Sequence, residues 1–249
     1  MRDRPVVIGM RRPHPTAMRI AMREAVAGRT FVQVVHCCAA SDADRGRLVL
    51  ESMRPHASLP ERRTPPVGFR LTTAGVVDAL ERASRASRLL VVGCADATWF
   101  TQLRGSDVVA RLARHADSPV MVVPHDEREP GRPGRVVLGG GRAAVGAATV
   151  RFALEQARDR ATVVVVGREA ADGATAPVLA ELAGEFPDVA IDVHDRPGPR
   201  VVAGDLVVLE RPEDRSVPFA WSLDPLVATT VTTAVERRCA IGIVPGDGR

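Results

Sequence analysis

The chain carries one design twice. "RPVVIGMRRPHPTAMRIAMREAVAGRTFVQVVH", starting at Arg4, and "GRVVLGGGRAAVGAATVRFALEQARDRATVVVV", starting at Gly134, share one order of features. Each reads as a short apolar strand, a glycine, a polar turn, an amphipathic helix and a second apolar strand. Within the helices, Ile20-Ala21-Met22-Arg23-Glu24-Ala25 matches Phe152-Ala153-Leu154-Glu155-Gln156-Ala157, with apolar positions at helical spacing. The ends match as well: "VVARLARHADSPVMVVP" (Val108 to Pro124) and "LVATTVTTAVERRCAIGIVP" (Leu226 to Pro245) are each a helix, a turn and an apolar strand closed by proline. A duplicated chain needs a joint. "HDEREPGRPGR", His125 to Arg135, has the charge, proline and glycine of one. Two domains are therefore expected, 1–126 and 134–249.

Each copy alternates strands with helices, and its strands are apolar on both faces. "RLLVVG" (Arg88 to Gly93) and "TVVVVG" (Thr162 to Gly167) show no alternation. Such strands need helices on both sides of a parallel sheet. The fold class is thus α/β, two tandem doubly wound parallel-sheet (Rossmann-like) domains of about five strands each. Aromatic residues are only 3% and tyrosine is absent, so Val, Leu, Ile and Ala must build the cores. Strands are expected near 5–9, 30–36, 67–72, 88–93 and 119–123, then near 135–139, 161–166, 189–194, 205–209 and 240–244. Helices are expected near 15–28, 75–87 and 105–116, then near 144–160, 174–185 and 225–237. Ser41 to Pro66 reads as mostly loop with one short helix near Gly46 to Met53. "DRPGPRVVAG", before the ninth strand, is too rich in proline and glycine for a helix.

Composition excludes some functions. The formal charge is +4 and every basic residue is arginine, which binds phosphate well. The arginines are nevertheless scattered among 30 acids, with no basic block and no aromatic stacking series, so nucleic-acid binding is disfavoured. No apolar stretch reaches the roughly 18 residues of a spanning helix, and "MRDRPVVIGM" has no leader pattern. No membrane association and a cytoplasmic place are expected. Cys37, Cys38, Cys94 and Cys239 form no C-x-x-C pair, and reduced, half-buried thiols are the expectation. The six histidines make no metal-binding set and no serine sits in a nucleophile elbow, so the chain is not expected to be an enzyme.

One stretch points to chemistry. In "VVGCADATWFTQLRGSDVV", Val91 to Val109, an apolar run stops at Gly93, and Gly105-Ser106 then opens a helix. Phosphate-cradling loops begin and end this way. "AGVVDALERASRASRLLVVG" (Ala74 to Gly93), that helix start, "ADSPVMVVP" and "VVHC" at Val34 to Cys37 together resemble a tandem universal stress protein. The resemblance covers nearly the whole chain and is clearer in the first copy. It implies a five-stranded doubly wound sheet, a role in stress responses, association through the last strand, and in many members ATP at the carboxyl ends of the strands.

On that resemblance the candidate nucleotide-binding residues are Gly9, Met10, Arg11, Arg12, Gly93, Gly105, Ser106 and Asp107. The family's nucleotide-binding members end the first strand in V-G-x-D-G-S, but here Arg11 stands at the Asp position, and in the second copy Gly141 does. The family loop runs G-x2-G-x9-G-[S/T]; here Asp96 replaces its middle glycine and the spacer to Gly105 is one residue short. Trp99 and Phe100 stand in the same loop. In the second copy Glu210 takes the place of the first loop glycine, with Asp214 and Asp224 nearby. "GGG", Gly139 to Gly141, reads as a tight strand-to-helix turn, with Arg142 as an alternative anion holder. Arg11 and Arg12 are expected to meet either an acidic ligand or a carboxylate such as Asp96 or Asp107 that fills the empty site. The expected function is that of a regulatory or binding protein without ordinary ATP binding and without a cofactor. A nucleotide-binding switch or weak ATPase using the first pocket alone is the alternative. The expected partners are an intramolecular pseudo-dimer or a homodimer through the final strands "PVMVVP" and "AIGIVP", and a protein partner of unknown identity.

Overall fold

The computed structural model describes residues 4–58, 64–94, 108–125, 134–140, 144–195, 200–212, 223 and 225–246. Among these, residues up to His125 and residues from Gly134 onward form two compact units. The first contains β1 (Val6–Gly9), α1 (Pro15–Ala27), β2 (Val32–Cys37), α2 (Ala43–Met53), β3 (Val67–Thr72), α3 (Val76–Ser84), β4 (Leu89–Cys94), α4 (Val108–His115) and β5 (Val120–Pro124). Its strand order is β3-β2-β1-β4-β5. The second contains β6 (Val136–Gly139), α5 (Ala147–Asp159), β7 (Val164–Gly167), α6 (Arg168–Ala171), α7 (Ala176–Glu185), β8 (Ile191–His194), β9 (Leu206–Glu210), α8 (Pro225–Glu236) and β10 (Ala240–Val244). Its order is β8-β7-β6-β9-β10, the same third-second-first-fourth-fifth sequence. Every pairing within each unit is parallel.

Burial follows the apolar runs. β1, β5, β6, β7 and β10 are buried at every position, and β4 and β9 at all but one. Helices supply the cover: Met18 and Met22 of α1 and Leu112 of α4 are fully buried in the first unit, Val150 and Leu154 of α5 in the second. The outermost strands β3 and β8 are only partly buried and carry Arg70, Asp192 and His194. Charges along an exposed edge discourage pairing with other chains.

Three helices close in the same way without glycine at the left-handed position. Arg29, Ala161 and Arg238 have φ of 50, 50 and 56°. Thr30, Thr162 and Cys239 donate back to Ala25, Ala157 and Ala234 at 2.8, 2.9 and 2.8 Å. These are Schellman turns, and they release the chain straight into the next strand.

Two segments differ from the sequence expectation. The stretch after β2 holds a full helix, α2, because Gly46, Leu50 and Met53 fall on one face and bury it. A one-turn helix, α6, follows β7 and tucks Ala170 into the core. Between β8 and β9 no helix occurs among the described residues. A turn with Gly204 at φ 88° leads instead to Asp205, which is 1% exposed. Its carboxylate accepts from the Arg135 amide at 3.0 Å, the Arg135 guanidinium at 2.8 Å and the Val202 amide at 2.9 Å. A buried carboxylate tolerates its desolvation only with such a full set of donors.

Candidate functional site

Strands buried on both faces leave polar chemistry only at their ends. In the first unit β1 ends at Gly9, and the chain turns through Met10, Arg11, Arg12 and Pro13 to the start of α1. Pro15 occupies the first turn of α1, where its fixed φ suits a helix and its missing N–H costs nothing. That makes His14 the N-cap. The Ala17 amide donates to its Nδ1 at 3.1 Å, and the Met18 amide donates to its carbonyl at 3.1 Å. Because Nδ1 accepts, the proton of the neutral ring sits on Nε2.

The register of the sheet brings this cap to the candidate loop. Gly9 pairs with Val92, so Gly93 lies one residue beyond the end of β1. The His14 ring rests on Gly93. A Cβ at position 93 would stand 2.8 Å from His14 Cγ and closer still to Cδ2. Real carbon contacts do not reach that distance, so glycine is needed here for the close approach. His14 is 4% exposed. The space over the first loop glycine is occupied by an imidazole.

This ring is held neutral. Burial is the main cause that lowers its pKa from 6.5 to about 4, and the charge of His125 adds to it. The main chain of Val123 and Cys94 opposes, but among the described residues Nε2 itself closes no hydrogen bond. His125, exposed at the end of β5, meets His14 edge-on with ring centroids 4.9 Å apart. A further histidine steadies the same turn. His36 of β2, 6% exposed, donates from Nδ1 to the Met10 carbonyl at 3.0 Å.

The second unit fills the equivalent volume from the opposite side. Gly139 pairs with Leu209, as Gly9 pairs with Val92, so Glu210 is the register counterpart of Gly93. The N-cap of α5 is Gly146, the counterpart of His14. The Gly146 amide donates to Glu210 Oε2 at 2.5 Å. A carboxylate on the positive end of a 13-residue helix is electrostatically favourable. One unit combines a large cap residue with a bare strand end, and the other a bare cap residue with a large strand end.

Of the candidate residues, Gly9, Met10 and Gly93 converge at the closed end of β1 and β4. Gly9 and Met10 are buried, and a Cβ at Gly9 would stand 2.7 Å from Leu80 of α3. Arg11 and Arg12 are exposed on the turn. The side chain that covers Gly93 is their neighbour His14, a residue the sequence marks only as one of six histidines that make no metal-binding set. The "PHP" at Pro13 to Pro15 was the available signal, since proline at the first helical position marks the preceding residue as the cap. Gly105, Ser106 and Asp107, and also Asp96, Trp99, Phe100, Gly141, Arg142, Asp214 and Asp224, lie outside the described residues. Cys37, Cys38, Cys94 and Cys239 are in no disulfide. Burial pushes the Cys37 thiol up, Cys38 adds to this and Arg70 opposes it, which favours the protonated thiol. Among the described residues no group of three His, Cys, Asp or Glu could hold a metal ion, and no helix is long and apolar enough to cross a membrane.

No protein-family model and no curated protein sequence matches the chain. Solved structures do. A universal stress protein from Archaeoglobus fulgidus DSM 4304 aligns with a TM-score of 0.59 at 10% identity, over 96% of this chain and 97% of that one. A functionally unknown protein from Pseudomonas aeruginosa PAO1 aligns at 0.54 and 10% identity, over 99% and 94%. A protein provisionally named as a universal stress protein, from Pseudomonas aeruginosa UCBPP-PA14, aligns at 0.53 and 10%, over 99% and 95%. The chain shares their fold from end to end.

Two outcomes follow from the His14 cap. Gly93→Ala forces the imidazole out and lowers stability by about 1–3 kcal/mol, whereas in a His14→Ala background the added methyl has room. Urea unfolding of the double-mutant cycle then gives a coupling of about 1 kcal/mol or more. For pH, the unfolded chain takes up the proton near 6.5 and the folded chain only near 4. Stability therefore falls as pH drops through that window, by up to about 3 kcal/mol. His14→Gln, which keeps an acceptor for the Ala17 amide but does not titrate, flattens this part of the stability profile.

Proposed function

We propose that this chain is a universal stress protein-like regulatory or binding protein of the stress response that works without ordinary ATP binding. The fold shared with universal stress proteins supports the family reading. The observation that carries the loss of the nucleotide is the His14 ring seated on Gly93. A phosphate group would need the Gly93 main chain, and the space it would enter is filled. The second unit supports the same reading by another route. Its strand end carries the Glu210 carboxylate, already held by the Gly146 amide. A second anion about 4 Å away would be repelled by about 4 kcal/mol at the effective dielectric of a partly buried site.

With neither pocket loaded, output comes from association rather than catalysis, in a cytoplasmic setting. We assign the association to the final strands, as an internal pseudo-dimer or a homodimer. β5 and β10 are the last strands of their own sheets, yet each is apolar and buried along its whole length, unlike the charged outer strands β3 and β8. An edge of that composition is suited to strand pairing. Pro119 and Val244 turn their carbonyls to β4 and to the end of β9. By alternation, the amides of Val120, Val122, Ile241 and Ile243 point outward.

Calorimetry at pH 7 with millimolar ATP, ADP, AMP and cyclic AMP is expected to give no binding heat. Saturable heat that Arg11→Ala or Arg12→Ala weakens would overturn the reading in favour of a nucleotide switch or weak ATPase in the first unit. In native-state hydrogen exchange, the four outward amides are expected to exchange as slowly as their inward neighbours. Fast exchange at those positions alone would rule out pairing through the final strands.

A further inference from the structure

The His14 cap does more than fill space, because its chemistry makes the seal reversible. The ring is buried, it touches the Gly93 main chain, and its Nδ1 must carry a lone pair to accept from the Ala17 amide. Protonation removes that lone pair. The Nδ1–H then points at the Ala17 N–H, donor against donor, inside a pocket whose glycine wall leaves no slack. The charged ring cannot keep this position. We propose that His14 is a proton-released plug: neutral, it caps α1 and seals the end of β4 at Gly93; protonated, it swings out and uncovers that strand end. The inference rests on the reading of the strand ends as a pocket closed at neutral pH, and adds how it is opened.

The charged and titratable groups around the ring favour release over retention in place. From the end of β5 comes His125, edge-on at 4.9 Å, whose charge opposes a charge on His14. The turn that leads into α1 brings Arg11 and Arg12, both positive and exposed. At the end of β4 stands Cys94, with its main chain near the ring. Among the described residues no carboxylate acts on the ring, and its only favourable partners are main-chain groups of Val123, Cys94 and His14 itself. Among the described residues the imidazolium finds none of the counter-charge that stabilises buried histidines elsewhere. Solvent supplies it once the ring moves out. In the second unit the cap residue Gly146 has no side chain, and the group at that strand end is the Glu210 carboxylate.

The experiment is an NMR titration of the full chain from pH 7.5 to 4 without nucleotide, following the His14 ring nitrogens and amide exchange at Ala17 and Val91. In the wild type, the Ala17 amide is expected to lose its protection in the same step in which the His14 ring titrates, while Val91 in the core of β4 stays protected. His125→Ala is expected to move that step to higher pH by about half a unit or more. In His14→Gln the step at Ala17 disappears. The proposal is overturned if the ring titrates with Ala17 still protected, if Ala17 and Val91 open together, or if His14→Gln shows the same step. Because no nucleotide is present, the result is independent of whether the calorimetric test of the pocket succeeds.

Discussion

Strands that are apolar on both faces can be buried only in a parallel sheet covered on both sides, and this requirement organises the whole chain. It obliges every strand to be followed by a crossover, which here yields the order β3-β2-β1-β4-β5 and its repeat β8-β7-β6-β9-β10. It also removes the sheet faces from any polar role. What remains for chemistry is the row of turns at the carboxyl ends, where main-chain amides and helix starts come together. Function in such a fold is decided by which side chains stand in those few turns.

The two units settle the same volume by opposite distributions of bulk. Register pins Gly93 and Glu210 to equivalent points one step past Val92 and Leu209, and the N-caps His14 and Gly146 face them. In the first unit the helix start brings the large group and the strand must be bare, so a single methyl on Gly93 cannot be accommodated. In the second the strand end brings the large group and the helix start is bare. Either way the first turn of the helix receives its acceptor from inside the protein: imidazole Nδ1 for Ala17, a carboxylate for Gly146. The two seals differ in kind. A carboxylate on a helix N-terminus gains from its charge, whereas an imidazole that must accept a hydrogen bond works only while it has none.

Most of the fold was legible in the sequence, and for a definite reason. "RLLVVG" and "TVVVVG" state burial on both faces directly, and the recurrence of the strand-glycine-turn-helix pattern states the duplication. The elements lie within a few residues of where the apolar runs placed them. Helix α2 was underestimated because its buried face consists of one glycine, one leucine and one methionine among charged residues, and glycine counts against a helix in any local reading. The tie between Arg135 and Asp205 joins residues 70 positions apart and left no local trace.

The site was read only in part. The residues alone set Arg11 and Glu210 where the family resemblance leads one to expect a carboxylate and a glycine. What fills the two strand ends was decided by tertiary structure. His14 is unremarkable in "RRPHPT" until the β1–β4 register sets its ring on Gly93. Glu210 reads as an intruding charge until the Gly146 amide is found donating to it. Sequence fixes which groups are available and which strands must be buried. Only the packing of a helix start against the end of a distant strand decides which of those groups fills the space between them.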